Sequence, residues 1–355
     1  TIIIEDMKKI LVKAPRVSLC LLGLLVISSL VLAHCYNTTN SSALLGCVNL
    51  NVFFILSIIT NILTRHLKDL EPTSDYTYGF IRMEVVFMFM TTVLTQFGSL
   101  SVLKESVERI INPQAVHVGR LFIGGLFAYL IHLCVIFLEN NKPLDQLIDA
   151  SSSSWLQDHS SDFSQCICEV FPFLNKFLLP RINPLILLST FCFVILSLIY
   201  LFIEFNSIYC MDTIGSIVIA IIIFATMLPM SVYSGKILLQ TTPPLITSQL
   251  DKCLREALTI DGVLEFRSEQ FWSLSFSQMA GTLHVRIRRD ANDQIVLNRI
   301  YDKLKGIVPV LTVQIFKDDW NRPASIKYLF QDSVSINMPT LSSDVKMLSV
   351  HNGKS

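Results

Sequence analysis

Long apolar runs separated by short polar breaks fill the first two thirds of the chain. Six of them, Val17–Tyr36, Ala43–Thr64, Val85–Leu103, Leu121–Leu138, Leu185–Ile203 and Thr213–Tyr233, come close to the roughly 20 residues a helix needs to cross a bilayer. A helix satisfies its own backbone polar groups in lipid, so the pattern predicts six transmembrane helices. The last run stops at Gly235, Lys236 and the breaker pair Pro243-Pro244, and beyond it the period changes. Ile246, Leu250, Cys253, Leu254 and Ala257 fall on one helical face. Phe271–Phe276 and Gly281–Arg289 read as strands. In the second, Leu283, Val285 and Ile287 alternate with His284, Arg286 and Arg288, which gives one buried and one wet face. Val296, Ile300, Leu304 and Ile307 form another helical stripe, and Leu311, Val313 and Ile315 a last strand. The order αββαβ predicts a small ferredoxin-like α+β domain of about 75 residues, weakly stable alone.

The expected organisation is an N-terminal segment (1–16), a six-helix membrane domain (17–244) with a long loop at 139–183, the ferredoxin-like domain (245–320) and a loose tail (321–355). Composition agrees, with 52% hydrophobic and only 16% charged residues against about 25% charged in a typical soluble domain. Net charge is zero and there is no basic block, which argues against nucleic acid as a partner. The nine cysteines are scattered, many inside apolar runs, as small hydrophobes rather than a disulfide framework. Lys8, Lys9, Lys13 and Arg16 precede the first run, which is too long for a signal peptide and lacks an evident cleavage site. Thr1 is not a Met, so a start further upstream is expected.

Basic residues orient the spans. They occur before the first run, at Arg65 and Lys68, and at Lys142, Lys176 and Arg181, whereas Asn37–Ser42 and Asn206–Cys210 carry none and the stretch near Lys104–Arg120 is mixed. Both ends are therefore expected in the cytosol. Asn37-Thr38-Thr39 and Asn40-Ser41-Ser42 match glycosylation patterns on the opposite side, but so short a loop reads better as a plain polar turn.

Several motifs together resemble one family. They are the hinge Leu228-Pro229-Met230-Ser231-Val232-Tyr233-Ser234-Gly235-Lys236, with the Pro pair beyond it, Tyr78–Glu84, Lys104–Arg109, Phe271-Trp272-Ser273-Leu274 and Val313–Trp320. Over residues 14 to 320 the chain resembles the cation diffusion facilitators, which move Zn²⁺ out of the cytosol in exchange for protons. The resemblance implies a tetrahedral site in spans two and five. Each supplies a His or Asp and an Asp four residues later, two ligands on one helical face. Aligned on Asn40–Leu44 and Asn183-Pro184, the ligand positions fall on Leu50 and Phe54 in span two and on Leu185 and Ser189 in span five. Neither span contains His, Asp or Glu before Glu204. A dehydrated divalent ion needs anionic or imidazole ligands, so the transport site is read as vacant and no metal or cofactor site is assigned.

Other candidates carry blander readings. Asn49 and Asn51 suit hydrogen bonds between helices better than Zn²⁺. His132 is an ionisable group in span four, and alone on an apolar face it reads as a neutral packing residue. Arg82 and Glu84 read as an ion pair or interhelical anchor, and Asp212 as a carboxylate at the start of span six. His159, Cys166 and Cys168 on the long loop supply three soft ligands where a closed zinc site takes four, and reduced loop thiols are the plainer reading. Where family members place a His before the Phe-Trp-Ser-Leu motif this chain has Gln270, and only His284 remains on the next strand.

No nucleophile–base constellation appears, so no enzyme is expected. The resemblance implies a non-transporting subunit that forms a heterodimer with a zinc-transporting relative, zinc transporter five-like, in the membranes of the Golgi, the trans-Golgi network and secretory vesicles. It would stabilise or regulate that partner as zinc passes into the lumen. The alternative is an active proton-coupled zinc antiporter with an atypical site.

Overall fold

The structure, a computed structural model, describes residues 15–68, 70–112, 114, 116–151, 183–206 and 208–317. In chain order its helices are α1 (Arg16–Thr39), α2 (Ser42–Lys68), α3 (Met83–Ile111), α4 (Leu121–Leu138), α5 (Lys142–Ser151), α6 (Pro184–Asn206) and α7 (Cys210–Leu238). All but α5 are long and apolar enough to cross a membrane. Then follow α8 (Pro244–Leu258), β1 (Val263–Ser273), β2 (Met279–Ile287), α9 (Asp293–Leu304) and β3 (Val310–Lys317), the expected αββαβ order. His159, Cys166, Cys168 and the 321–355 tail lie outside the described residues.

The most buried span is α2, which is packed by α1, α3, α4, α6 and α7. Helices in lipid gain little by hiding apolar surface from one another, so close approach and hydrogen bonds set the packing. The contact of α2 with α3 shows both. Asn49 donates from Nδ2 to the Thr95 carbonyl and to Ser99 Oγ, each at 3.1 Å. Its amide lies against Gly98, where an added Cβ would stand 2.0 Å from Asn49 Oδ1.

The spans run past their expected ends. α3 continues to Ile111, so Lys104–Arg109 forms helical turns with Lys104–Glu108 and Glu105–Arg109 ion pairs. The 139–183 stretch is not loop throughout, because it opens with α5. Three apolar residues at helical spacing, Leu144, Leu147 and Ile148, bury in the membrane core and stabilise a helix too short to show as a periodic run.

In the α+β domain β1 pairs antiparallel with β2, and β2 runs parallel to β3, in the order β1-β2-β3. Leu283, Val285 and Ile287 of β2 face a core completed by Leu250 and Leu254 of α8 and Val296, Ile300 and Leu304 of α9. β1 begins at Val263, earlier than the expected Phe271, and ends at Ser273. Register irregularities at Val263/Glu265 and Arg267/Gln270 break the alternation that would have announced it. Leu274 and Ser275 instead turn the chain, both donating from the backbone to the Gln278 carbonyl, and Phe276 packs against the membrane core. Phe271 lies across Gly281 of β2, where a Cβ would meet its ring at 2.3 Å.

Candidate functional site

The implied ligand positions stand on α2 and α6. Leu50 and Phe54, one helical turn apart, share a face of α2, and Leu185 and Ser189 share a face of α6. All four are buried, and Leu50, Phe54 and Leu185 belong to one continuous hydrophobic cluster. Phe54 and Leu185 line the same small cavity, and Ser189 Oγ has no hydrogen-bond partner among the described residues. Such a seam can pack but offers a dehydrated cation no charge and no imidazole. Among the described residues, no group of three or more His, Cys, Asp or Glu is gathered closely enough to hold a metal ion.

His132 does not stand alone. Its ring sits 4.7 Å from the Phe54 ring, and Nε2 lies 3.2 Å from Asn51 Oδ1. Asn51 Nδ2 donates in turn to the Leu25 carbonyl at 3.0 Å and to Ser29 Oγ at 2.5 Å. This chain ties α1, α2 and α4 together at the level of the seam and engages both ends of the Asn51 amide, so the arrangement is a lock between helices. Asn49, on the α3 side of α2, is likewise engaged, as expected from its position.

Arg82 and Glu84 form no pair with each other. Glu84, buried at the start of α3, binds Lys68 at the end of α2 across 2.7 Å. Arg82 instead donates from Nη2 to the Leu238 carbonyl, one of the last carbonyls of α7, at 3.0 Å. Each acts as an anchor, to two different helices, and the guanidinium suits the negative end of the α7 dipole.

At the end of the bundle away from the α+β domain, Asp212 does more than open its own helix. It is buried and caps the start of α2. One carboxylate oxygen, Oδ2, accepts from the Ser42 backbone N–H at 2.7 Å and from Ser42 Oγ at 2.9 Å. The other, Oδ1, accepts from the Ser41 hydroxyl and from the Ala43 N–H at 3.4 Å. Ser216 Oγ joins Ser42 Oγ at 3.1 Å and Ser106 Oγ at 2.6 Å, so α2, α3 and α7 meet in one polar knot. Sequence reasoning missed this role because the donors lie some 170 residues from Asp212.

Beside the knot, Asn37, Thr38 and Thr39 belong to the last turn of α1, so the expected polar turn narrows to Asn40 and Ser41. The Thr38 and Thr39 hydroxyls donate back to carbonyls within α1. Asn40 adopts the left-handed conformation that ends a helix (φ 55°), and its Nδ2 donates to Gln114 Oε1 at 2.7 Å. Its backbone carbonyl receives a bond from Arg109.

In the α+β domain, Gln270 of β1 pairs with Thr282 of β2, and His284 lies two residues further along the same face. The His284 ring meets Phe316 of β3 edge to face at 5.5 Å. Trp272 is half-buried and lines a cleft with Thr242, Thr247 and Leu250 at the junction with the membrane domain.

Comparison with known proteins agrees with this architecture. The family model described as the Cation efflux transmembrane domain matches residues 16–239. The chain is 46% identical over 298 residues to Zinc transporter 6-A of Xenopus laevis, covering 84% of this chain and 64% of that protein. It is 47% identical over 287 residues to Zinc transporter 6 of Gallus gallus, covering 81% and 62%. It is 44% identical over 324 residues to Zinc transporter 6 of Homo sapiens, covering 89% and 70%. The chain thus spans a little under two thirds of the length of the first two relatives. A match over all six spans, together with these identities, shows that the chain belongs to the cation efflux family, the cation diffusion facilitators.

Proposed function

We propose that this chain is a non-transporting, non-enzymatic subunit of a zinc transporter. It pairs with a zinc-transporting relative (zinc transporter five-like) as a heterodimer, stabilises or regulates it, and supports delivery of cytosolic zinc into the lumen of the Golgi and early secretory pathway, with both of its own termini in the cytosol. The observation that carries the reading is the seam itself. Leu50, Phe54, Leu185 and Ser189 are packed together with core residues where the family's resemblance places ligands. The relatives are zinc transporters by name, which supports zinc as the ion. A retained six-helix fold and αββαβ domain without transport ligands has a use if assembly is what the cell exploits.

The test is zinc uptake in vesicles with an imposed pH gradient. The chain alone shows background uptake only, and the chain with its partner shows saturable uptake. Removing one transport-site carboxylate from the partner abolishes that uptake while the two chains still co-purify. Saturable uptake by this chain alone would establish the alternative, an antiporter with an atypical site.

A further inference from the structure

We propose that α5 is an internal plug, which seals the seam between α2 and α6 on the side of the membrane that carries the α+β domain. The helices that flank α5 differ in length. α2 has 27 residues and α4 only 18, a difference of roughly 13 Å at 1.5 Å per residue. α4 therefore ends while α2 still has turns to run, and the chain re-enters the bundle instead of leaving it.

A set of hydrogen bonds to α1 and α2 fixes the re-entry. Asn61 of α2 donates to Glu139 Oε1 at 2.6 Å and to the Asn140 carbonyl at 3.2 Å, and Ser18 of α1 donates to Glu139 Oε1 at 2.9 Å. Arg65 Nη2 adds a bond to the Asn140 carbonyl at 2.7 Å. Deepest of all, buried Asn141 donates from Nδ2 to Ser57 Oγ at 2.8 Å and to the Ser57 carbonyl at 3.2 Å, while its Oδ1 accepts from Leu144 N at 3.3 Å. Ser57 lies one turn from Phe54, so the start of α5 is anchored directly under the vacant ligand positions.

The helix then packs beneath the ligand positions, where its Leu144 and Asp145 line the cavity that Leu185 of α6 closes from the other side. Leu144, Leu147 and Ile148 are buried in the same cluster as Leu50, Phe54 and Leu185, and α5 touches α2, α3 and α7. What remains of the space beneath the seam is a cavity of about 30 Å³ lined by Phe54, Ser57, Val135, Asn141, Leu144 and Leu185 among others, room for about one water. A bundle with no ion to carry still has to resist leakage, and a helix fastened into its mouth by hydrogen bonds supplies that resistance.

The experiment uses the full chain with its native cysteines replaced and one reporter, Val135→Cys, in the wall of the cavity. Its modification by a small cationic methanethiosulfonate reagent is compared with that of Asp149→Cys, on the exposed face of α5. The plug predicts that position 135 reacts at least about tenfold more slowly, because the reagent must wait for local opening. Leu147→Asp, which places a charge at a fully buried position, and Asn141→Ala, which only removes the anchor, should each raise the rate at position 135 about tenfold or more. Asn141→Ala covers the case in which Leu147→Asp does not fold, size-exclusion profiles identifying intact protein. Equal rates at 135 and 149, or an unchanged rate at 135 in a well-folded Asn141→Ala chain, would overturn the plug. Zinc uptake by the chain alone bears on the proposed function and not on this result, so the two ideas fail separately.

Discussion

Replacing Asp212 by Ala should be among the most damaging single changes in the membrane domain, although Asp212 touches neither the seam nor the lipid. Its carboxylate accepts two good bonds from Ser42, at 2.7 and 2.9 Å, one from the Ser41 hydroxyl and a long one from Ala43. Bonds to a charged acceptor contribute about 1.5–3 kcal/mol each, and a buried donor left unpaired costs about 1–3 kcal/mol. These terms are not additive, so about 3–5 kcal/mol is the expected loss. Asp212→Asn keeps one carbonyl acceptor but turns an NH₂ toward the same donors, so it should recover only part. For a domain of this size, 1 kcal/mol moves the melting point by about 2–4 °C, which places the Ala variant roughly 6–20 °C below the parent. The assay is size-exclusion chromatography of detergent-solubilised protein after heating to graded temperatures. Glu108→Ala, which removes an exposed pair to Lys104 at 3.1 Å, serves as a control expected to cost under about 1 kcal/mol. An Asp212→Ala chain melting within about 2 °C of that control would refute the capping role.

Four further outcomes follow from the geometry. Gly98→Ala should cost about 1–3 kcal/mol through the clash with Asn49, and adding Asn49→Ala should relieve much of it in a double-mutant cycle read by thermal stability. Leu50→Met and Ser189→Ala should each cost under about 1.5 kcal/mol and leave zinc uptake by the proposed heterodimer unchanged, since the first conserves volume and the second deletes a buried hydroxyl without a partner. Burial raises the Glu265 carboxyl, but the hydrogen bond from Arg286 and the charge of Arg267 outweigh it and hold the group below its ordinary value. A depressed folded-state value means stability present above the unfolded value and lost as pH falls through the folded one. Melting curves across the carboxylate range should therefore show an acid-side loss that Glu265→Gln reduces. Trp272→Ala should cost up to about 3 kcal/mol and weaken co-purification with the proposed partner, whereas His284→Ala should do neither.

The six spans were legible because apolar length is a local property, and so was the αββαβ order, carried by stripes such as Val296, Ile300 and Leu304. Two kinds of feature were not. One is short and stabilised from outside: α5 has only three core residues of its own and depends on Ser57 and on the membrane core. The other joins distant positions. Nothing near Asp212 in the chain announces Ser41 and Ser42, and nothing near Arg82 announces the Leu238 carbonyl. Of the two readings of Arg82 and Glu84, the interhelical anchor holds and the mutual ion pair does not, because proximity in sequence stood in for proximity in space. Positions 50, 54, 185 and 189 were named by motif spacing. That they sit packed into one core is something only the fold displays.

The junction after α7 has a mechanical meaning. The Thr241 carbonyl accepts from Ser273 N at 3.2 Å, Thr242 Oγ1 donates to the Phe271 carbonyl at 2.6 Å, and Phe276 rests on the membrane core. Two residues of the connector are thus stitched to the last strand residues of β1, so the connector behaves as a short stiff crank and not as a slack tether. The end of α7 and the end of β1 are therefore held in register by the connector, and a change in the position of the sheet would have to break these two bonds or move the end of α7 with it.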